Sequence, residues 1–235
     1  INKSLGQRPA GYIVDLRSNP GGILQEAVAV SDAFLDGGEV VSERGRQRDD
    51  IQRLSAQPGD DTQGAPIIVL VDAGSASASE IVAGALQDHH RALVMGERSF
   101  GKGSVQSVVQ LPNGTGLKLT TSRYYTPSGR SIQEGGIKPD VRVPQISDPD
   151  YKTSPRYRES DLRRHLINEI KPDDSTLEED AKDDPRFAMS AEELKKRNID
   201  DFQLYYAVQT LNRLGSNVSQ LARADGRAKA RGVAK

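Results

Sequence analysis

The sequence predicts an α/β protein in which helices flank a mixed β-sheet, followed by a charged, helical C-terminal extension. Two β-turn-α units come first: the strand-like segment 11–18 precedes a helical pattern, and so does the apolar run Ile67–Val71. Later, the pair Asn113 and Gly114 separates two strand-like segments, which is typical of a β-hairpin. Such a succession favours helices packed on a sheet, with the reactive loops gathered at one end.

The composition separates a core region from a polar C-terminal part. Of the 235 residues, 35% are hydrophobic and 28% are charged, and the mean hydropathy is -0.60, which is polar for one compact domain. Past Pro144, prolines are scattered among acidic and basic residues. We therefore expect a core domain over residues 1–146 and a charged extension over residues 147–235.

The extension carries two helical patterns. Ser190 followed by Glu193 fits a capping box that opens the first helix. An apolar face over residues 202–214, ended by Gly215, predicts the second. Residues 221–235 are basic, which is typical of a frayed tail.

Charge and residue usage exclude several classes of function. The 32 basic and 33 acidic residues give a net charge of -1, so no overall field attracts nucleic acid. The chain has no cysteine, and its three histidines lack metal-binding spacing. No apolar run approaches the ~20 residues of a membrane helix. We expect no metal, no cofactor, no nucleic acid partner and at most peripheral membrane association.

A candidate nucleophile lies in the turn between the run Ile67–Val71 and the next helical pattern. Ser75, Ser77 and Ser79 alternate there with small residues. A helix N-terminus offers unpaired N–H groups and a positive dipole end to developing negative charge. Small polar residues also form turns and caps, and the composition does not choose among the three serines.

The candidate base is Lys102, which stands between Gly101 and Gly103. Flanking glycines indicate a backbone held close to another segment. A lysine acts as a base only when it is neutral, a state that burial beside apolar groups favours. The amide of Gln106 would orient a neutral amine without charging it.

Other interpretations of this region fail. Ser99 and Lys102 form an S-x-x-K pattern, but the accompanying motifs of penicillin-binding proteins are absent. Gly96–Lys102 resembles a Walker A loop, yet Gly103 stands where Ser or Thr would hold magnesium. His89 and His90 follow at the far end of the helix, about 16 to 18 Å from its start, too far for a Ser-His-acid triad.

Four stretches in order carry a resemblance to a known family. They are DLRSNPGG (15–22), GSASASEIVAGALQD (74–88), GERSFGKGSVQ (96–106) and RYYTPSGRSIQEGGIKPD (123–140). Together they resemble the catalytic core of the carboxy-terminal processing (tail-specific) proteases, which are serine peptidases with a Ser/Lys dyad. The resemblance covers most of residues 11–145.

The resemblance implies a role for each matching residue. Ser77 would be the nucleophile and Lys102 the general base, positioned by Gln106. The oxyanion hole would combine the N–H of Ala78 with the N–H of Gly21 or Gly22. The resemblance does not decide which of the two glycines donates. The implied activity is an endopeptidase that forms an acyl-enzyme.

The resemblance also implies a crotonase-like mixed α/β core, an extracytoplasmic and in bacteria periplasmic location, and protein or peptide substrates with apolar C-terminal tails. Such proteases usually carry a PDZ domain just before DLRSNPGG. Only ten residues precede Gly11, and the sequence does not begin with Met. We therefore expect a targeting segment to precede residue 1, and either a PDZ domain precedes residue 1 as well or the chain lacks one.

Two other functions are compatible with the same residues. One is an inactive or adaptor-gated peptide-binding scaffold with Lys102 turned away from Ser77, and the other is a serine hydrolase of small esters. A homo-oligomer, formed through the extension, and an adaptor protein are also compatible with the sequence.

Overall fold

A computed structural model describes residues 2–7, 9–47, 49–163, 165–168 and 184–214 of the chain. The described strands form two four-stranded sheets. The parallel sheet has, in spatial order, β1 (Tyr12–Asp15), β4 (Ile67–Val71), β5 (Leu93–Gly96) and β8 (Val141–Arg142). The antiparallel sheet has, in spatial order, β3 (Ile51–Ala56), β2 (Gly38–Arg44), β7 (Gly116–Tyr125) and β6 (Ser104–Gln110).

Five α-helices lie within the described residues. They are α1 (Asn2–Leu5), α2 (Leu24–Asp32), α3 (Ala78–Asp88), α4 (Ala191–Lys196) and α5 (202–214). The prediction of an α/β fold with a helical C-terminal part is confirmed, although the strands divide between two sheets. Within the described part of the chain, every helix is too short or too polar to cross a bilayer.

The central strand β4 is buried on both faces and so divides the core in two. Val69 and Val71 point to the face covered by α2, α3 and β2. Ile68 and Leu70 point to the opposite face, as the two-residue period of a strand requires. A strand buried on both faces reads as a continuous apolar run, which is why Ile67–Val71 carries no polar residue.

The C-terminal helices cover the second face of the parallel sheet. The rings of Phe187 and Phe202 meet edge to face at 5.7 Å, and Leu194 and Leu211 are buried in the same cluster. The approach is close, because a Cβ atom at Gly11 would lie 2.6 Å from the Leu211 side chain. The charged extension therefore contributes apolar residues to the core.

Helix α4 of the extension begins with the predicted capping box. The capping box is confirmed: the Ser190 N–H donates to the Glu193 carboxylate at 2.9 Å, and the Glu193 N–H donates to the Ser190 hydroxyl at 3.3 Å. The predicted helix end at Gly215 and the basic tail lie outside the described residues.

Arg17 joins the loop after β1 to the start of α5. Its guanidinium donates two hydrogen bonds to the Asp201 carboxylate, at 2.8 and 2.7 Å, and two to the Asp15 carboxylate, at 2.9 and 2.7 Å. Burial alone would raise the pKa of Asp201, but hydrogen bonds from Arg17 and Gln145 outweigh it and lower the pKa to about 2. This network fixes the loop that runs from β1 to Gly22.

Replacing Phe202 with Ala is expected to lower the free energy of unfolding by about 3 to 5 kcal/mol, because a buried aromatic ring leaves a cavity. Chemical denaturation measures the change. Tyr205→Ala is the matched control, since Tyr205 lies on the same helix and is 40% exposed, and it should change stability by less than about 1 kcal/mol. Equal effects would contradict the packing of α5 on the sheet.

Candidate active site

Ser77 stands where β4 and its turn pass into α3. Its backbone has φ 55° and ψ -116°. This conformation costs about 1 to 3 kcal/mol for a residue with a side chain, and it persists only where the surrounding structure holds it. Its side chain is half-buried. The turn therefore presents this serine at the helix N-terminus, beyond the end of the parallel sheet.

The other two serines of the turn have structural partners. The Ser75 hydroxyl is fully buried, donates to the Leu16 carbonyl at 2.7 Å and accepts from the Asp72 N–H at 2.9 Å. The Ser79 hydroxyl is buried and donates to the Asn19 carbonyl at 3.0 Å. Both hydroxyls tie the turn to the loop after β1.

That loop packs directly against the start of α3. Gly21 has φ +97°, and a Cβ atom there would lie 2.6 Å from the Ala76 carbonyl oxygen and 2.8 Å from the Ala78 nitrogen. The Gly21 N–H donates to the Asn19 side chain at 2.9 Å. In the described structure, the N–H groups of Gly22 and Ala78 make no hydrogen bond.

A buried carboxylate joins the Ser77 turn to the Lys102 loop. Glu80, three residues after Ser77, is 0% exposed. Its Oε2 accepts the main-chain N–H of Ser77 at 2.8 Å and that of Lys102 at 2.9 Å. The two nitrogen atoms are therefore no farther apart than the sum of these distances. Sequence reasoning missed Glu80, although S-x-x-E at a helix start is a recognisable capping pattern.

The second oxygen of Glu80 holds the rest of the Lys102 loop. It accepts the Ser99 hydroxyl and the Gly101 N–H, each at 2.6 Å. Burial raises the pKa of Glu80 to about 7, and the four hydrogen bonds to its carboxylate oppose a larger increase. This carboxylate therefore titrates near neutral pH.

The glycines around Lys102 allow a close approach, as the sequence indicated. A Cβ atom at Gly101 would lie 2.8 Å from the Glu134 carbonyl oxygen, and one at Gly103 would lie 2.5 Å from the Gln133 nitrogen. The segment 133–134 thus covers the back of the loop. The side chain of Lys102 itself is half-buried.

Gln106 lies on β6, next to an irregularity in register between Val105 and Gln106. Its side chain is exposed, and among the described hydrogen bonds none joins it to Lys102. Its role in orienting the lysine stays a prediction.

Two of the three histidines have side-chain partners of their own. His89 contacts the Glu39 carbonyl at 2.7 Å, and His165 pairs with Glu134 at 2.6 Å. No described hydrogen bond joins a histidine to Ser77. Across the described ranges, no three His, Asp or Glu side chains are grouped as metal ligands.

A cavity of about 160 Å³ opens beside the Ser77 turn. Gly22 and Ala78, whose N–H groups are unpaired in the described structure, contribute to its wall. Most of its other lining is apolar, with Leu16, Ile23, Ala27, Val30 and Val82. The cavity can therefore receive an apolar side chain next to two free N–H donors.

Comparison with known proteins identifies the family. Residues 1–143 match the sequence profile of peptidase family S41. The chain belongs to this family. It is 56% identical over 157 residues to a carboxy-terminal-processing protease of Bartonella bacilliformis, a match that covers 66% of the chain and 36% of that protein. It is 43% identical over 145 residues to a carboxyl-terminal-processing protease of Picosynechococcus sp., covering 62% and 34%.

A solved protease structure is also similar to this chain. The photosystem II D1 C-terminal processing protease is 40% identical, with a TM-score of 0.55 over 60% of the chain and 36% of that structure. The predicted family and fold are confirmed. The chain spans about a third of the length of the relatives it matches: 36% of the Bartonella bacilliformis protease and 34% of the Picosynechococcus protease.

Proposed function

We propose that this chain is the catalytic part of a serine endopeptidase that cleaves proteins near their C-terminal tails, with Ser77 as nucleophile and Lys102 as general base. The observation that carries the proposal is the shared carboxylate oxygen of Glu80, which accepts the main-chain N–H of both residues. These two hydrogen bonds bring the main chains of the two residues, 25 positions apart in sequence, next to each other, which supports their pairing as nucleophile and base.

The reaction begins with neutral Lys102 taking the proton of the Ser77 hydroxyl as its oxygen attacks the scissile carbonyl. The ammonium of Lys102 then returns the proton to the leaving amine, and an acyl-enzyme on Ser77 remains. Water activated by the same lysine releases the acyl group. Gln106 would help to orient the lysine from the start of β6.

The oxyanion hole would use the N–H groups of Ala78 and Gly22. Neither donates a hydrogen bond in the described structure, whereas the Gly21 N–H is occupied by Asn19. Unpaired, fixed donors stabilise a developing oxyanion without reorganisation. Of the two glycines that the sequence left open, this favours Gly22 as the donor and gives Gly21 the role of shaping the loop.

The apolar cavity beside Ser77 favours an apolar residue on the acyl side of the cleaved bond. Its volume of about 160 Å³ suits a side chain of modest size. The relatives named carboxy-terminal-processing proteases support cleavage near the C-terminus, and we propose substrates whose C-terminal tails are apolar around the cleaved bond. We also propose an extracytoplasmic location. A homo-oligomer and an adaptor protein are further candidates for its partners.

Labelling with a fluorophosphonate probe tests the nucleophile. The wild-type chain should be labelled at Ser77, as peptide mapping would show, and Ser77→Ala should lose the label. Ser55→Ala is the matched control, because Ser55 is exposed on β3, and it should keep full labelling. Labelling at another serine, or none at all, would contradict the assignment, and the absence of label would favour the scaffold interpretation.

A substrate panel then separates a peptidase from a small-ester hydrolase. Unstructured peptides with apolar C-terminal tails are compared with the same peptides carrying Asp or Lys tails and with short acyl esters. A peptidase of the proposed kind should prefer the apolar tails in kcat/KM. Turnover confined to the esters would overturn the proposed substrate class.

A further inference from the structure

The four hydrogen bonds of Glu80 make it a link between two catalytic turns. An ionised carboxylate has about four acceptor sites, and here each oxygen accepts two donors. The carboxylate is inaccessible to water. Hydrogen bonds from the protein therefore take the place of water around this carboxylate, and the surrounding groups must adjust to any change in its charge.

The geometry of the two oxygens divides the task. Oε2 sets the separation of the Ser77 and Lys102 main chains, because both N–H groups converge on it. Oε1 anchors the preceding residues of the loop through Ser99 and Gly101. The Ser99 hydroxyl in turn accepts the Ile137 N–H at 2.6 Å, so the link continues into the segment that follows β7.

We propose that Glu80 is a positioning residue for the Ser77 and Lys102 pair, and that it acts in its ionised form. The inference rests on the proposed function. Glu80 touches neither substrate nor reacting atoms in this role; it holds the nucleophile and the base at a fixed separation through their main chains. Effective orientation is worth several powers of ten in rate, and a shift of ~1 Å costs about 100-fold.

Protonation would weaken this link. A proton on Oε2 would face two N–H donors, and a proton on Oε1 would require the Ser99 hydroxyl to turn. In both cases the bonds to the two N–H groups lose their charge-assisted strength. Charged or titratable side chains also lie on the segments packed around the carboxylate. They are those of Glu97, Arg98, Lys102, Glu134, Lys138 and Glu159, together with His165, which pairs with Glu134. Burial raises the pKa of Glu80 to about 7, so the change falls near neutral pH.

The test is the isosteric variant Glu80→Gln. The variant replaces one carboxylate oxygen with an NH2 group. That group is itself a donor, so it cannot accept the two hydrogen bonds that the oxygen accepts in the wild type. We expect kcat for an apolar-tailed peptide to fall by about 10- to 100-fold, with KM nearly unchanged because the substrate contacts remain. Circular dichroism verifies the fold. Asp60→Asn is the matched control, because Asp60 accepts hydrogen bonds from Thr62, Gly64 and Arg91 elsewhere in the chain.

The pH profile distinguishes positioning from a general structural role. Below neutral pH, loss of the free base alone lowers kcat/KM by about tenfold per pH unit. In the wild type, protonation of Glu80 should make the fall near pH 7 steeper than this. Glu80→Gln should return it to the slope of a single proton, and Asp60→Asn should keep the steep fall.

If Glu80→Gln does not fold, Ser99→Ala gives the same information. It removes one donor to the ionised carboxylate, which raises the pKa of Glu80 and should move the steep part of the profile to higher pH. The proposal for Glu80 would be overturned by a wild-type pH profile of kcat/KM with the slope of a single proton, or by full kcat in Glu80→Gln. The Ser77→Ala variant tests the dyad separately from both results. Cleavage that survives in Ser77→Ala would instead overturn the proposed function.

Discussion

Ser77→Ala and Lys102→Ala are each expected to reduce kcat for peptide cleavage by about 10⁴- to 10⁶-fold, the range found when a nucleophile or its base is removed. Alanine leaves the main-chain N–H groups of both positions free to bond to Glu80 as they do now. Each variant therefore removes chemistry while retaining the link between the turns. The free energy of unfolding should change little.

The double variant tests whether the two residues act as one unit. Residues of a catalytic unit are strongly non-additive, so the double variant should lose about as much activity as either single variant. Lys118→Ala, an exposed lysine on β7, is the control for loss of a positive charge. Activity lost in Ser77→Ala but retained in Lys102→Ala would require another base. Full activity in both variants would exclude the dyad.

The sequence predicted the strand, turn and helix around Ser77 because each is a local pattern. Choosing Ser77 from three serines required a resemblance, since composition treats them alike. The structure supplies an independent physical reason: the hydroxyls of Ser75 and Ser79 are buried and bonded to the loop after β1, while Ser77 is half-buried in a strained turn.

Glu80 shows what local patterns cannot predict. An acidic residue in the first turn of a helix is typically a solvent-exposed partner of the helix dipole, and its spacing from Ser77 indicates only a cap. Its burial depends on donors at Gly101 and Lys102, more than twenty residues away along the chain. Only the folded chain brings them together.

The division of the strands into two sheets was unpredictable for a related reason. The hairpin of β6 and β7 follows from Asn113 and Gly114, but the pairing of β7 with β2 joins Tyr125 to Ser42, which is far away in the sequence. Periodicity identifies a strand and its buried face, and it does not identify the partner. Likewise, the sequence predicted the apolar face that includes Phe202, but it did not identify the sheet face on which Phe202 is buried.

Gly21→Ala is expected to lower kcat by about 100- to 1,000-fold, the effect of losing one oxyanion donor. A Cβ atom at this position would lie 2.6 Å from the Ala76 carbonyl oxygen and 2.8 Å from the Ala78 nitrogen. Both are main-chain atoms at the nucleophile turn, and neither can move without displacing the Ala78 N–H. The φ of +97° adds strain for any residue with a side chain. Steady-state kinetics and chemical denaturation measure the two effects.

Gly22→Ala is the matched control, because a Cβ atom there meets no other atom within 4 Å and its φ lies outside the left-handed range. The variant keeps the Gly22 N–H that we propose as the second oxyanion donor, so kcat should remain close to that of the wild type. A rise in KM is acceptable, since Gly22 lines the apolar cavity. If kcat falls equally in both variants, the contact of Gly21 with Ala76 and Ala78 is not what holds the oxyanion donors, because only Gly21 has that contact.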